Sequence, residues 1–146
     1  MSDMTIGEFA DRLTAQMAVI MKGFSKYVSA DFYKTKLTMP QVMILDLLHK
    51  EDELNMSDLA RFLNVTTAAV TGLADRLVKS GYVRRYHDES DRRIVHIKLT
   101  AKGAGLVKEM HQKRRQAIID MFGKITQGER DEYLRILNHI REHIGT

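Results

Sequence analysis

Residues 56–77 read MSDLARFLNVTTAAVTGLADRL, and this stretch decides the fold. Leu59, Leu63, Val65, Val70 and Leu73 are apolar at the positions where two short helices crossing steeply must touch. Ala60 is small where the helices approach most closely. Asn64 falls at the turn, where the backbone needs a left-handed residue and only Gly or Asn enters that region cheaply. Seven matched positions within fifteen residues predict a helix, a tight turn and a second helix.

A basic hairpin follows. Ser80-Gly81 is a helix-ending signal, and Tyr82–Tyr86 and Ile94–Leu99 read as strands. Strict alternation puts Val95, Ile97 and Leu99 on one face. The connection from His87 to Arg92 is polar and turn-rich. Residues 56–102 hold nine Lys/Arg against five Asp/Glu, whereas residues 1–55 hold six against eight and residues 103–146 eight against six. The positive surplus therefore sits on the helix-turn-helix and its hairpin. A local surplus of this kind favours a polyanion, because each neutralised phosphate releases condensed counterions. On charge alone, a merely solvated basic face accounts for it equally well.

The flanks are helical and punctuated by three capping boxes: Thr5–Glu8, Thr38–Gln41 and Thr126–Glu129. The first opens a helix carrying Phe9, Leu13, Met17, Ile20, Phe24 and Val28, which extends to about Tyr33, roughly 40 Å at 1.5 Å per residue. Val42, Ile44, Leu45 and Leu48 make a short buried helix behind the only proline, Pro40, which sits harmlessly in a first turn. Asp52–Asn55 reads as a turn-like break, with Ser57 as N-cap of the next helix. Thr100 caps a helix with Leu106, Val107, Met110, Ile118 and Met121. The last helix carries Leu134, Leu137, Ile140 and Ile144.

Several function classes fall away. The chain has no cysteine, which removes disulfides, thiolate metal sites and a cysteine nucleophile. No apolar run reaches the roughly 18 residues of a membrane span, and no secretory signal opens the chain, so it reads as cytoplasmic. Phosphate-loop, G-x-S-x-G and H-E-x-x-H motifs are missing, and Gly103-Ala-Gly105 is only a fragment of a dinucleotide fingerprint. An enzyme is not expected, and no cofactor is implied.

The stretch LADRLVKSGYVRRYHDESDRRIVHIKLTAKG, residues 73–103, resembles the reading helix and wing of the MarR family of transcriptional regulators. Its core is Asp91-Arg92-Arg93, five intervening residues, then Leu99-Thr100. The likeness spans about residues 38–105. Two positions depart from the family's pattern: Glu89 where a proline is usual in the wing turn, and Gly72 where a longer polar or basic residue often stands. The resemblance implies a mainly α fold with a small β-hairpin wing, a winged helix-turn-helix plus helical dimerisation arms. Residues 1–36 would form an N-terminal arm, 37–102 the DNA-binding lobe and 103–146 the C-terminal arm. It implies a homodimer on a near-palindromic double-stranded operator, usually a repressor released by a small aromatic or lipophilic ligand. A metal-responsive regulator and an architectural DNA binder without effector are the alternatives. The first and last helices carry apolar residues on more than one face, which suits dimer arms; packing within one subunit is the other reading.

Residue chemistry assigns the DNA contacts. Thr66, Thr67 and Thr71 lie at the N-terminal end and outer face of the second helix, the part that enters a major groove. Thr66 serves equally as a cap. Arg76, one turn along, suits a phosphate, a base, or a pair with Asp75. By resemblance, Arg93 is the wing arginine of the minor groove, held by Asp91; an ordinary hairpin salt bridge is the plainer reading. Arg84 and Arg92 suit phosphates, and Ser57 a phosphate at its helix N-terminus. Met17, Met21, Phe24, Met39 and Met43 line a ligand pocket or else belong to plain core. His139 and His143, spaced i,i+4 beside Glu142, suit a metal ion or a solvated helix end. His87, in the wing turn, and His96, on the outer wing face, receive no role.

Overall fold

A computed structural model of the chain describes residues 4–144, with side chains left undescribed at positions 26–34. The elements in order are α1 (Ile6–Thr35), α2 (Met39–Glu51), β1 (Glu53–Asn55), α3 (Met56–Leu63), α4 (Thr67–Lys79), β2 (Val83–His87), β3 (Val95–Leu99), α5 (Ala101–Phe122) and α6 (Gln127–Ile144). They form two compact units, one of residues 29–112 and one of residues 1–28 with 113–146.

The unit of residues 29–112 holds the apolar core. Ile44, Leu45 and Leu48 of α2, Leu59 of α3, Val70, Ala74 and Leu77 of α4, Ile97 of β3 and Val107 of α5 are all buried together. Leu63, Leu73, Val95 and Leu99 pack half-buried around them. Val65 departs from expectation. It stands 42% exposed, because it lies in the α3–α4 turn rather than on either packing face. Asn64 takes the left-handed conformation at φ 52°, ψ 47°, and Val65 N–H reaches Ala60 O at 3.0 Å to close the helix end.

The predicted break at 52–55 is instead partly ordered as a strand. Glu53–Asn55 pairs antiparallel with β3, giving a three-stranded sheet in the order β1-β3-β2. Ser57 is not the N-cap of α3. Asn55 is, its side-chain oxygen accepting from Asp58 N–H at 2.8 Å, which places Ser57 inside the first turn. The capping boxes at Thr5–Glu8 and Thr126–Glu129 close in both directions. At Thr38 the Gln41 side chain reaches back to the threonine N–H at 2.8 Å.

The wing is joined to α5 by a tight corner. Gly81 adopts φ 75°, and Tyr82 N–H bonds Leu77 O at 3.0 Å while Gly81 N–H bonds Val78 O at 2.9 Å. Thr100 Oγ1 accepts from Gly103 N–H at 3.1 Å and donates to Gly81 O at 2.6 Å. Gly103 is the glycine this corner requires: a Cβ there would lie 1.9 Å from Tyr82 O, a backbone atom that cannot yield. Gly103→Ala should therefore destabilise by about 1–3 kcal/mol, the usual cost of overpacking. It should lower the thermal midpoint by several degrees, and an unchanged melting curve would contradict this packing.

The other unit buries far less. Among its described residues Ala117 is the buried apolar one, whereas Phe9, Leu13, Met17 and Ile20 of α1 and Leu134, Leu137, Ile140 and Ile144 of α6 are all exposed. Val28, expected on the same stripe, has a side chain outside the described set. Phe122 and Tyr133 contact each other at the α5–α6 bend, with ring centroids 5.3 Å apart. Arg130 braces the same bend by donating to the carbonyls of Phe122 and Ile125.

Candidate nucleic-acid interface

The polar side of the 29–112 unit is built from the first turns of α3 and α4 and from the wing. An open groove of about 440 Å³ runs between them, lined by Ser57, Asp58, Arg61, Thr67, Thr71 and Arg93 among others. Four residues expected to meet DNA, Ser57, Thr67, Thr71 and Arg93, are thus brought onto one surface.

Each contributes differently. Thr66 is the N-cap of α4, its hydroxyl oxygen accepting from Ala69 N–H at 3.2 Å, so the capping reading holds for it. Thr67 follows in the first turn with its side chain exposed. Thr71 Oγ1 donates to Thr67 O at 2.8 Å. Its proton is spent inside the helix, leaving lone pairs and a methyl group to face a partner. Gly72 is open: nothing lies within 4 Å of where its Cβ would be, and no internal packing explains a glycine there. Asp75 pairs with Arg85 at 2.7 Å rather than with Arg76, tying α4 to β2 and leaving Arg76 on the exposed face.

The wing tip is organised by two carboxylates. Asp91 accepts from Arg93 Nε at 3.1 Å through one oxygen and from Arg93 Nη2 at 3.1 Å through the other. It also accepts from Arg93 N–H at 3.0 Å. These bonds hold the Asp91 carboxyl below its ordinary range, the Arg93 side chain first and its amide second. The Arg93 side chain is nonetheless 91% exposed, so Nη1 and one Nη2 hydrogen point to solvent. An exposed pair of this kind adds little to stability, and its clear physical effect is to orient the guanidinium.

Asp88 folds the turn itself. One oxygen accepts from Ser90 N–H at 2.8 Å and Asp91 N–H at 3.1 Å, as well as from the Ser90 hydroxyl. The other oxygen lies 3.1 Å from His96 Nε2. Its pKa is strongly depressed, by the Ser90 hydroxyl first and then by the amides of Asp91 and Ser90 and by His96. Both carboxylates therefore stay ionised through the neutral range. Arg92 lies exposed beside His87, Asp88 and Glu89, and its carbonyl sits 2.8 Å from His87 Nδ1. Arg84 is exposed on β2.

His87 departs from its expected place, ending strand β2 instead of sitting in the turn. His96 is on the outer wing face, next to the inward and buried Ile97, but its side chain is only 18% exposed. Tyr86 stacks on the His96 ring at 5.3 Å between centroids, and its hydroxyl bonds Glu53 of β1. That bond raises the Tyr86 pKa, because a carboxylate accepting its proton favours the neutral phenol.

Comparison with known proteins settles the family. Residues 37–95 match the MarR family. A MepR-like protein solved in complex with pseudoligands is 33% identical and aligns over 92% of this chain and 94% of its own, with a TM-score of 0.57. The chain belongs to the MarR family. YfiV, an HTH-type transcriptional regulator of Bacillus subtilis, is 37% identical over 84 residues, which is 58% of this chain and 52% of that relative. The chain thus spans about half the length of that relative. RV1404 of Mycobacterium tuberculosis, 23% identical, shares the fold at a TM-score of 0.86 over 100% of this chain and 99% of its own. YdgJ and YwhA of Bacillus subtilis, 26% and 25% identical, are HTH-type transcriptional regulators as well.

The residues of two other expected sites do not line this groove. Met17 and Met21 in one unit and Met39 and Met43 in the other are each more than two-fifths exposed, so plain core is not their role in the single chain. Phe24 is half-buried. His139 and His143 have ring centroids 4.7 Å apart, and His143 Nδ1 lies 2.8 Å from His139 O. Among the described residues no three His, Asp or Glu side chains gather closely enough to hold a metal ion.

Proposed function

We propose that the protein is a homodimeric repressor that reads a near-palindromic operator and is released by a small aromatic or lipophilic ligand. The observation that carries the DNA-binding surface is the single groove shared by Ser57, Thr67, Thr71 and the wing arginine. Thr67 and Thr71 face the major groove from the N-terminal part of α4, and Arg93 takes the adjacent minor groove. Ser57, Arg76, Arg84 and Arg92 serve the phosphates; Thr66 caps, and Asp91 orients Arg93. The apolar faces of α1 and α6, exposed in the single chain, supply the dimer contacts. The exposed methionines offer adaptable apolar surface for an effector.

Thr71 provides the sharpest test of base reading. With its proton committed to Thr67 O, it offers a methyl group for thymine and lone pairs for an amino group. Thr71→Ala should change the preferred base at one position per half-site by about 1 kcal/mol while leaving the salt dependence of binding intact. Titrating a panel of single-base variants at several salt concentrations measures both. A uniform loss across all sequences, with a shallower salt slope, would make Thr71 a phosphate contact instead.

A further inference from the structure

We propose that His96 is a positioning residue for Arg93, acting through Asp88 to set the turn that aims the wing arginine. The inference rests on the reading of Arg93 as a DNA contact and extends it to a residue that does not line the groove.

The geometry forms a relay. His96 stands in the middle of the sheet's outer face, opposite Tyr86 on β2 and Asn55 on β1. Tyr86 stacks on its ring at an interplanar angle of 18°, and the Tyr86 hydroxyl is anchored to Glu53, so the imidazole plane is held from the side. In that plane Nε2 reaches Asp88 Oδ2 at 3.1 Å. The opposite nitrogen, Nδ1, is buried and has no hydrogen-bond partner. A neutral imidazole carries one proton, and a buried N–H without an acceptor is costly, whereas a bare ring nitrogen is less so. The proton therefore belongs on Nε2, donating to Asp88.

That donation fixes one oxygen of Asp88 and so the direction of the other. The second oxygen receives the amides of Ser90 and Asp91, which curls the chain immediately before Asp91-Arg92-Arg93. The turn is closed by Asp88 N–H to Ile94 O at 3.0 Å and Ile94 N–H to Asp91 O at 2.9 Å. Asp91 then clamps the guanidinium. Losing the His96 donor frees the Asp88 carboxylate to rotate toward solvent. Slack there passes directly into the position of Asp91, whose side chain is what holds the exposed arginine. Glu89 increases the need for such a brace, because proline, which would restrict the turn covalently, is not present.

The test is a double-mutant cycle on the DNA duplex that the wild-type protein selects from a random pool. His96→Leu should weaken binding to that duplex about tenfold, and His96→Gln, which keeps an N–H donor at similar reach, should stay within about threefold of wild type. In an Arg93→Ala background His96→Leu should change affinity less than about twofold, because its effect runs through the arginine. His96→Asn, polar but too short to reach Asp88, should behave as His96→Leu and covers the case in which leucine unfolds the wing. In the free protein, hydrogen exchange at the Ser90 and Asp91 amides should accelerate with Leu and Asn but not with Gln. Undiminished affinity for the Leu and Asn variants, an equal loss in the Arg93→Ala background, or failure of Gln to restore binding each overturns the inference alone. Normal binding by Arg93→Ala itself overturns the arginine's DNA contact and the inference together.

Discussion

Arg93→Ala is expected to weaken operator binding by roughly a hundredfold or more, while the dimer and its thermal stability stay unchanged. The side chain is 91% solvent-accessible, so its removal leaves no cavity and breaks only a surface pair. On the proposed operator the same guanidinium would meet a narrow, negative groove with its orientation already set by Asp91, and hydrogen bonds to charged groups are worth about 1.5–3 kcal/mol each. The proposed dimer would make that contact twice. Arg93→Lys should recover little, because an ammonium cannot fork onto Asp91 and still present donors along the groove. Fluorescence anisotropy on a labelled operator, paired with sedimentation of the free protein, separates the two effects. Unchanged affinity would remove the wing from recognition.

The second large effect is expected from the face that the single chain leaves uncovered. Leu137→Glu combined with Ile140→Glu places two carboxylates in the middle of the exposed apolar stripe of α6. Neither side chain is buried in the single chain, so the subunit should remain folded, with an unchanged helical signal. In a dimer both would lie in an apolar contact, where unpaired carboxylates are costly to bury. The protein should sediment as a monomer and lose operator affinity by about 10²–10³, because one module grips only half of a palindrome. A variant that remains dimeric would place the subunit contact on another face.

How much of this was legible in the chain depends on whether the deciding interaction is local. Asn64 at the turn, the Thr–x–x–Glu boxes and the alternation of Val95, Ile97 and Leu99 are written within a few residues of where they act, and each is found as read. Strand β1 is three residues long, too short to show a period, and exists because β3 offers it an edge. The choice of Asn55 over Ser57 as N-cap follows from that strand, which ends where the cap must begin. Nearness in sequence offers Asp75 only Arg76 as a partner, and the placement of β2 against α4 gives it Arg85 instead. His96 is the clearest case of a residue hidden from sequence reading. It is a polar residue at an outward strand position, and its importance comes from a cross-strand stack and a carboxylate eight residues earlier in the chain. Gly103 likewise has no role legible in the sequence, since what requires it is a backbone carbonyl from the preceding corner.

The most direct measurement selects bound sequences from a random DNA pool and compares affinity for the winner with affinity for scrambled DNA at one fixed salt concentration. The expected result is a near-palindromic winner, with half-sites about one helical turn apart and discrimination of at least ~10³. Uniform binding to every duplex, falling steeply with salt, would contradict it and describe an architectural DNA binder instead.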